Sequence, residues 1–411
     1  GVKRPMPKEG ILVLADGYPK STTHVDLGAL SAAKALGVRV YVEYPNELPN
    51  QRVVGVGNTE LERVVCATDA IPGLDLNRIL MVHNCRYVRV DAPDPVLVLG
   101  RVAGFDRAVY GIPDTAVPLL YAHAQGNLLV ATTKLSHVQT GRYAPPDAWM
   151  SVWQWILSWL TREVAHPLSW KPLVRPNLSR FDALPPDAEA IALDRAIAWY
   201  DRAKLFVHAE WKHEADSRVV DFPDGTGIGP DSDWPVGDGS LGMIEGASSG
   251  ILPDGSQNWR YFLRNDCIGE SAMSLAFHSL TRKDKRTGEI AANLNDFIYT
   301  HSDFAGGPRG NPDSPSYGLV RWHNADADGG IYYGDDNARS ALGTIATATL
   351  LSESRWDKPL LRCLLANLRT TGPSGFRSGR MSDDQLQEKG WEHFREDDRV
   401  NIAPHYECWL W

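Results

Sequence analysis

A proline-rich segment at residues 161–187 divides the chain into two parts with different secondary-structure patterns. Before it, short apolar runs alternate with helical patterns, which indicates an open α/β sheet. After it, helical patterns alternate with long loops rich in Gly, Asp and Trp, which indicates a helical domain. We therefore predict an α/β domain over 1–160, a linker over 161–187 and a helical domain over 188–411. The prolines of the linker are Pro167, Pro172, Pro176, Pro185 and Pro186.

The first part contains five short apolar runs of the kind that forms buried strands. They are residues 11–14, 38–42, 78–82, 95–99 and 127–131. A helix is predicted over 29–36, because Gly37 provides a typical stop. An amphipathic helix over 149–160 closes the domain. The alternation of strands and helices predicts an open sheet covered by helices.

Several segments of this first part resemble class I glutamine-amidotransferase-like domains that accompany some carbohydrate-active enzymes. They are the strand-led start, residues 103–106 (Ala-Gly-Phe-Asp), and residues 126–136 running on to 141–145. A nucleophile elbow has Gly on both sides of its Cys, whereas Cys85 lies between Asn84 and Arg86. We therefore expect this domain to be non-catalytic, with a structural role or a role in homo-oligomer formation.

The second part contains six helical patterns. They are residues 188–211, 259–281, 287–300, the helix that follows Asp336, residues 357–371, and a helix that begins at Pro404. Helical hairpins joined by Gly-, Asp- and Trp-rich loops resemble the (α/α)6 toroid of six-hairpin glycoside hydrolases and related lyases. The resemblance covers 188–411 and rests on the segments 242–246, 252–255, 264–270, 334–339 and 403–407. Because six hairpins contain about twice as many helices, we expect an incomplete toroid in this chain, with a natural continuation beyond Trp411.

The densest group of polar residues is the segment 332–339, Tyr-Tyr-Gly-Asp-Asp-Asn-Ala-Arg. Asp335 or Asp336 can cap the helix that follows, because a side-chain oxygen there accepts hydrogen bonds from unpaired backbone N–H groups. One acid suffices for a cap. We expect Asp336 to be the functional acid, positioned by Arg339 one turn later, with Asp335 and Asn337 completing the group.

Other acids provide possible partners for Asp336. Glu245 lies in an apolar, glycine-containing segment predicted to be a loop, and desolvation there would favour the protonated form of an acid. Asp266 and Glu270 are four residues apart and share one helix face. They form a catalytic dyad, a metal site or a buried network that holds Arg260 or Arg264, and the network is the preferred interpretation.

Aromatic residues in polar loops are typical stacking platforms for ligands. We expect Trp322, Trp391 and Tyr333 to have this role. The other predicted contacts to hydroxyl or carboxylate groups of a substrate come from Arg264, Asn337, Arg339, His405 and Tyr406.

These residues suggest a glycoside hydrolase, because cleavage of a glycosidic bond uses two carboxyl groups on either side of the bond. Asp336 and Glu245 are the predicted pair, and Asp335 and Glu407 are further catalytic candidates. The substrate would be an oligo- or polysaccharide from which a sugar is removed. Arginines in polar loops, Arg321, Arg377 and Arg380, suggest a uronic acid.

Two other hypotheses remain open on the sequence alone. In a polysaccharide lyase, Tyr406 or His405 would act as the base that abstracts the C5 proton of a uronic acid. In a glycan-binding or scaffold protein without enzymatic activity, the acids would only cap helices.

Composition excludes several other classes of protein. The net charge of -9 makes a nucleic-acid backbone an unsuitable partner, and no apolar run spans a bilayer. The five cysteines are scattered, without a CxxC pair, and are expected to be buried thiols. No cofactor and no metal is expected. Glycan degradation suggests a secreted or periplasmic location, although no signal peptide is visible.

Overall fold

A computed structural model describes residues 9–164, 167–175, 178, 182–219, 225–325, 329–377, 379–397 and 409. The chain divides into two compact units. Unit 1 comprises Gly1–Phe181 and Ser249–Gln257, and unit 2 comprises Asp182–Ser248 and Asn258–Trp411. Within the described ranges, the helices are too short or too polar to cross a membrane.

Unit 1 is built on strands that follow one another closely along the chain, with one helix near each end. In chain order the elements are β1 (Gly10–Val13), α1 (Leu27–Ala35), β2 (Arg39–Glu43), β3 (Gly55–Asn58), β4 (Arg63–Cys66), β5 (Ile79–Val82), β6 (Arg86–Arg89), β7 (Leu97–Gly100), β8 (Val117–Ala122), β9 (Leu128–Ala131), β10 (Tyr143–Ala144) and α2 (Pro146–Thr161).

Eight of these strands form one open mixed sheet in the order β1-β2-β9-β8-β7-β4-β5-β10. β1, β2 and β9 are parallel, with Val40 opposite both Ile11 and Leu128. The other neighbours are antiparallel, and β3 and β6 form a separate antiparallel pair. The predicted open α/β sheet is confirmed, and each of the five apolar runs overlaps one of its strands.

Helix α2 packs on this sheet through one apolar face. Its buried residues recur at helical spacing: Ala148, Trp149, Val152, Trp153, Ile156 and Leu160. They share one core with Tyr41, Leu80 and Leu129 of the sheet. Burial of the two tryptophans supplies much of the apolar area of this core, since aromatic side chains bury about 150–250 Å² each.

Unit 2 is mainly helical, with one pair of short strands and most of one longer hairpin, whose tip at Ser249–Gln257 belongs to unit 1. In chain order the elements are α3 (Ala188–Arg202), α4 (Lys212–Arg218), β11 (Ile244–Ile251), β12 (Gln257–Leu263), α5 (Asn265–Arg282), α6 (Lys285–Asp296), a π-helical turn (Phe297–His301), a 3-10 helix (Gly307–Gly310), β13 (Ile331–Tyr332), α7 (Gly334–Leu351), α8 (Asp357–Arg369), β14 (Met381–Ser382) and α9 (Asp383–Glu396).

Two of the helix predictions for unit 2 are wrong in part. The helix predicted over 188–211 ends at Arg202, where Lys204 adopts a left-handed conformation (φ 52°), and the chain resumes as α4 at Lys212. The helix predicted over 259–281 begins at Asn265, because the residues before it form β12 and pair with β11. A short apolar run has no periodicity that separates a strand from a helix. The predicted helix at Pro404 lies outside the described residues.

Helices α5 and α7 run parallel and touch through their backbones. Gly269 lies against Ser340, and a Cβ atom on Gly343 would lie only 2.3 Å from the carbonyl oxygen of Gly269. At the far ends, Ser279 of α5 and Leu351 of α7 both lie beside Gly288 of α6. The two helices therefore begin at the same end of unit 2, and their first turns are neighbours.

Candidate active site

The first turn of α7 carries Asp335 and Asp336, and both are buried, with 5% and 3% of their surfaces exposed. The residue that precedes the helix is Tyr333, in an extended conformation and without a side-chain capping bond. The prediction that one of these acids is the N-cap is therefore wrong. Both lie inside the helix, where its positive end favours a negative charge.

The first turn of α5 provides the neighbouring acids. Asp266 is fully buried and Arg264, which precedes the helix, binds both of its oxygens at 3.1 and 2.9 Å. Glu270, one turn later, binds Arg339 of α7 through both oxygens at 2.8 and 2.7 Å. Arg339 also lies 2.9 Å from Asp266. The predicted network of acids and arginines is confirmed.

Arg264 brings together the two carboxyl groups that the sequence analysis paired. Its Nη2 lies 2.9 Å from Oδ1 of Asp336, and its Nη1 lies 3.5 Å from Oε1 of Glu245. Arg260 binds the same oxygen of Glu245 at 3.0 Å. One guanidinium therefore links a carboxyl group of α7 with a carboxyl group that lies before α5 in the chain.

Glu245 reaches this position from a strand. It lies on β11 and Arg260 lies on β12, so the prediction that Glu245 is in a loop is wrong. Ile244 and Gly246 are buried on one face of the strand. Successive side chains of a strand point to opposite faces, so the Glu245 side chain lies on the other face. The Glu245 side chain is 16% exposed, which leaves it at the solvent edge of the site.

We call this assembly the acid–arginine cluster. It consists of Glu245, Arg260, Arg264, Asp266, Glu270, Asp335, Asp336 and Arg339, all of unit 2.

Burial controls the protonation of the two acids of α7. Desolvation, together with the negative charges of Asp266 and Asp335, raises the pKa of Asp336 to about 8. Arg264 opposes this rise, but it is shared by three carboxyl groups and compensates each one only in part. Burial also raises the pKa of Asp335, against hydrogen bonds from nearby backbone N–H groups and the charge of Arg339. The raised pKa thus favours the protonated form of Asp336 at neutral pH.

Aromatic side chains border the cluster. The Arg264 guanidinium lies over the ring of Trp322 at 5.5 Å, and Tyr333 meets that ring edge-on at 5.0 Å. Arg339 lies 5.5 Å from the ring of Trp409. Trp391 packs elsewhere, against Arg369 and a core around Tyr332 and Leu386. Trp322 and Tyr333 are therefore brought to the site, and Trp391 is not.

The remaining predicted site residues have different positions. Asn337 is fully buried, and its amide group binds the backbone N–H and C=O of Val320 at 2.9 and 2.7 Å. This anchors the start of α7 and makes Asn337 a structural residue. His405, Tyr406 and Glu407 lie outside the described residues.

The arginines that suggested a uronic acid have partners within the protein. Arg321 binds Asp303 at 2.5 Å. Arg377 is 1% exposed and donates to the side chain of Asn367 at 2.6 Å. These two guanidinium groups therefore have structural partners instead of an open approach to a ligand.

Unit 1 holds Cys85 in a closed environment. The thiol is 1% exposed and accepts a hydrogen bond from Arg142 at 3.0 Å. Burial raises the pKa of Cys85, although Arg142 opposes this. Arg142 also donates to the carbonyl groups of His83 and Asn84 at 3.1 Å each. This guanidinium holds the turn between β5 and β6, and the thiol is unsuited to act as a nucleophile.

Some members of the cluster were not singled out as site residues by the sequence. Arg260 was predicted only as an alternative arginine held by Asp266 and Glu270, and its contact with Glu245 is made across a hairpin that was not predicted. Asp266 and Glu270 did have a signal, the four-residue spacing of two acids on one helix face.

Comparison with protein-family models, with curated proteins and with solved structures gave no match to this chain. Among the described residues, no three His, Cys, Asp or Glu side chains converge in a geometry that could hold a metal ion.

Proposed function

We propose that unit 2 is a glycoside hydrolase whose proton donor is Asp336. The observation that carries the proposal is a buried carboxyl group whose pKa is about 8, held by the same guanidinium as a second, partly exposed carboxyl group. A donor that is protonated at neutral pH next to a second carboxyl group is the arrangement that glycoside cleavage requires.

The roles follow from the surroundings of each group. Asp336 donates its proton to the glycosidic oxygen as the bond to the leaving sugar breaks. Glu245 has two guanidinium groups as partners, which suits a carboxylate. It activates a water molecule or attacks the anomeric carbon. Trp322 and Tyr333 offer aromatic surface to a sugar ring.

The order of the helices supports the proposal that unit 2 is a segment of an (α/α)6 toroid. The parallel helices α5 and α7 alternate along the chain with α6 and α8, which is the order of inner and outer helices in such a toroid. The acids lie at the starts of the two parallel helices. We propose that unit 1 is an amidotransferase-like module without catalytic activity, since its Cys85 is enclosed.

The test compares the wild-type protein and Asp336→Asn on a library of oligo- and polysaccharides. The products are separated and their masses are measured by mass spectrometry. The wild-type protein should yield products that contain one added water, and the variant should lose at least a hundredfold in kcat. A product with an unsaturated sugar that absorbs in the ultraviolet would favour a lyase. Binding without turnover would favour a non-enzymatic glycan-binding protein.

A matched control is Asp357→Asn. Asp357 is also an acid in the first turn of a helix, α8, but it is exposed and lies outside the acid–arginine cluster. This control should retain full activity. Equal activity of Asp336→Asn and Asp357→Asn would remove Asp336 from the mechanism.

A further inference from the structure

We propose that the acid–arginine cluster selects sugars that carry no negative charge, and that it accepts an unacetylated amino sugar in preference to a uronic acid. This inference rests on the proposed function and names the substrate class of the same site. It differs from the uronic acid that the arginines in polar loops suggested in the sequence. Three features of the cluster carry it.

The first feature is that its cations are already bound to carboxyl groups of the protein. Arg264 contacts Asp266 and Asp336 at 2.9 Å each. Arg339 holds Glu270 with two hydrogen bonds, and Arg260 holds Glu245 at 3.0 Å. A substrate carboxylate would have to displace one of these acids, and the displaced acid would remain in the site without its partner.

The second feature is the balance of charge. The cluster contains five carboxyl groups and three guanidinium groups, so its formal charge is negative when all are ionised. One proton held by the neighbouring acids Asp335 and Asp336 leaves the balance still negative. The potential at this place therefore attracts a cation and repels an anion.

The third feature is a pair of buried acceptors that lack donors. Oδ1 of Asp335 and Oε2 of Glu245 have no hydrogen-bond partner among the described residues, and these two acceptors outnumber the one donor of the cluster in the same state, Nε of Arg260. Asp335 is 5% exposed, and its charge interacts with those of Arg339 and Asp266, so it faces the cluster. An ammonium or hydroxyl group of a sugar is a donor to these oxygens, whereas a carboxylate only accepts hydrogen bonds.

A ligand can approach from the solvent edge of the cluster. The side chains of Glu270 and Arg260 are 34% and 31% exposed. The half-buried rings of Trp322 and Tyr333 lie beside Arg264 of the cluster. Donors of a bound sugar would therefore reach the Glu245 side before the deeper Asp335 side.

The experiment compares aryl glycosides that differ only in charge. Each sugar, in gluco and galacto configuration and in both anomers, is supplied as the neutral hexoside, the 2-amino-2-deoxy hexoside and the hexuronide. For the configuration that is cleaved, kcat/KM should be highest for the amino sugar and at least about tenfold lower for the uronide. The ratio should shrink at high salt, because ions screen the field of the cluster.

The outcomes separate this inference from the proposed function. Hydrolysis with equal or better turnover of the uronide would overturn the charge selection and leave the hydrolase proposal in place. Absence of hydrolysis of every glycoside would overturn the hydrolase proposal, and the charge selection would fall with it.

A charge variant gives a second readout. Glu270→Gln removes one negative charge and releases Arg339 from its two-bonded carboxylate. In this variant, the ratio of kcat/KM for the amino sugar to kcat/KM for the uronide should be about tenfold smaller than in the wild type. Glu289→Gln makes the same change at an exposed position on α6 and should leave the ratio unaltered. Equal ratios in both variants would contradict the inference.

Discussion

The Arg264 guanidinium donates a 2.9 Å hydrogen bond to Asp336, although 72 residues separate the two in the chain. The guanidinium precedes α5 and the carboxyl group lies in the first turn of α7. They meet because two glycines let these helices lie in backbone contact. The proposed chemistry therefore depends on how closely two helices pack as well as on the acids they carry.

The pH dependence of stability should reveal Asp336. Its pKa is about 8 in the folded protein and 3.8 as the ordinary value, so between these limits the folded state binds more protons than the unfolded state. Stability should therefore fall as pH rises through this window, with a slope of roughly 1.4 kcal/mol per pH unit at most. Urea unfolding of Asp336→Asn should lack this slope, and Asp357→Asn should retain it. Identical slopes in the wild type and Asp336→Asn would contradict the prediction.

The pH dependence of activity should have a basic limb set by the same group. A general acid works only while protonated, so kcat/KM should decline above about pH 8. Initial rates between pH 5 and 10 with a cleaved glycoside measure this. In Glu270→Gln, one negative charge fewer beside the site should move the limb to lower pH. A limb that moves upward would oppose this assignment.

Removal of the Arg264 side-chain charge should strongly destabilise unit 2. Arg264→Met removes the cation that Asp266 and Asp336 share and leaves Arg339 as the remaining partner of Asp266, so we expect a loss at the lower end of about 3–5 kcal/mol. The control is Arg282→Met, because Arg282 pairs with Asp194 at an exposed position and such pairs contribute up to about 1 kcal/mol. Urea unfolding followed by circular dichroism measures both. Similar losses in the two variants would argue against a buried network.

The contact between α5 and α7 should be intolerant of one added methyl group. In Gly343→Ala, the new Cβ atom would meet the backbone of Gly269, and overpacking of this kind costs about 1–3 kcal/mol. We also expect turnover to fall, because the first turns of both helices must move. Gly288→Ala in α6 is the matched control, since its Cβ would meet only the hydroxyl tip of Ser279, which can rotate. A milder effect of Gly343→Ala than of Gly288→Ala would contradict the packing argument.

Cys85 should be dispensable for catalysis and inert in the folded protein. The thiol is 1% exposed, so a maleimide should label it only after unfolding, as peptide mapping by mass spectrometry would show. Cys85→Ala should leave glycan turnover unchanged. Rapid labelling of Cys85 in the folded protein, or loss of turnover in the variant, would assign a chemical role to unit 1.

Parts of the site could be predicted because they depend on local spacing. Asp266 and Glu270 are four residues apart, which places them on one face of a helix and predicts the network that they form. The cap assignment of Asp335 and Asp336 failed, because where a helix begins is also decided by tertiary contacts such as those of Asn337 with Val320.

Elements that depend on short-range pattern could be predicted from the residues alone. They are five strands of unit 1, the amphipathic face of α2, and the change to helices after the prolines, since periodicity and turn residues act over a few neighbours. Which distant charges meet depends on tertiary contacts. The pairing of β11 with β12 and the backbone contact of Gly269 with Gly343 bring three carboxyl groups to Arg264, those of Glu245, Asp266 and Asp336. The tertiary structure also decided the protonation of Asp336, because burial is a property of the packed chain and cannot be calculated from spacing alone.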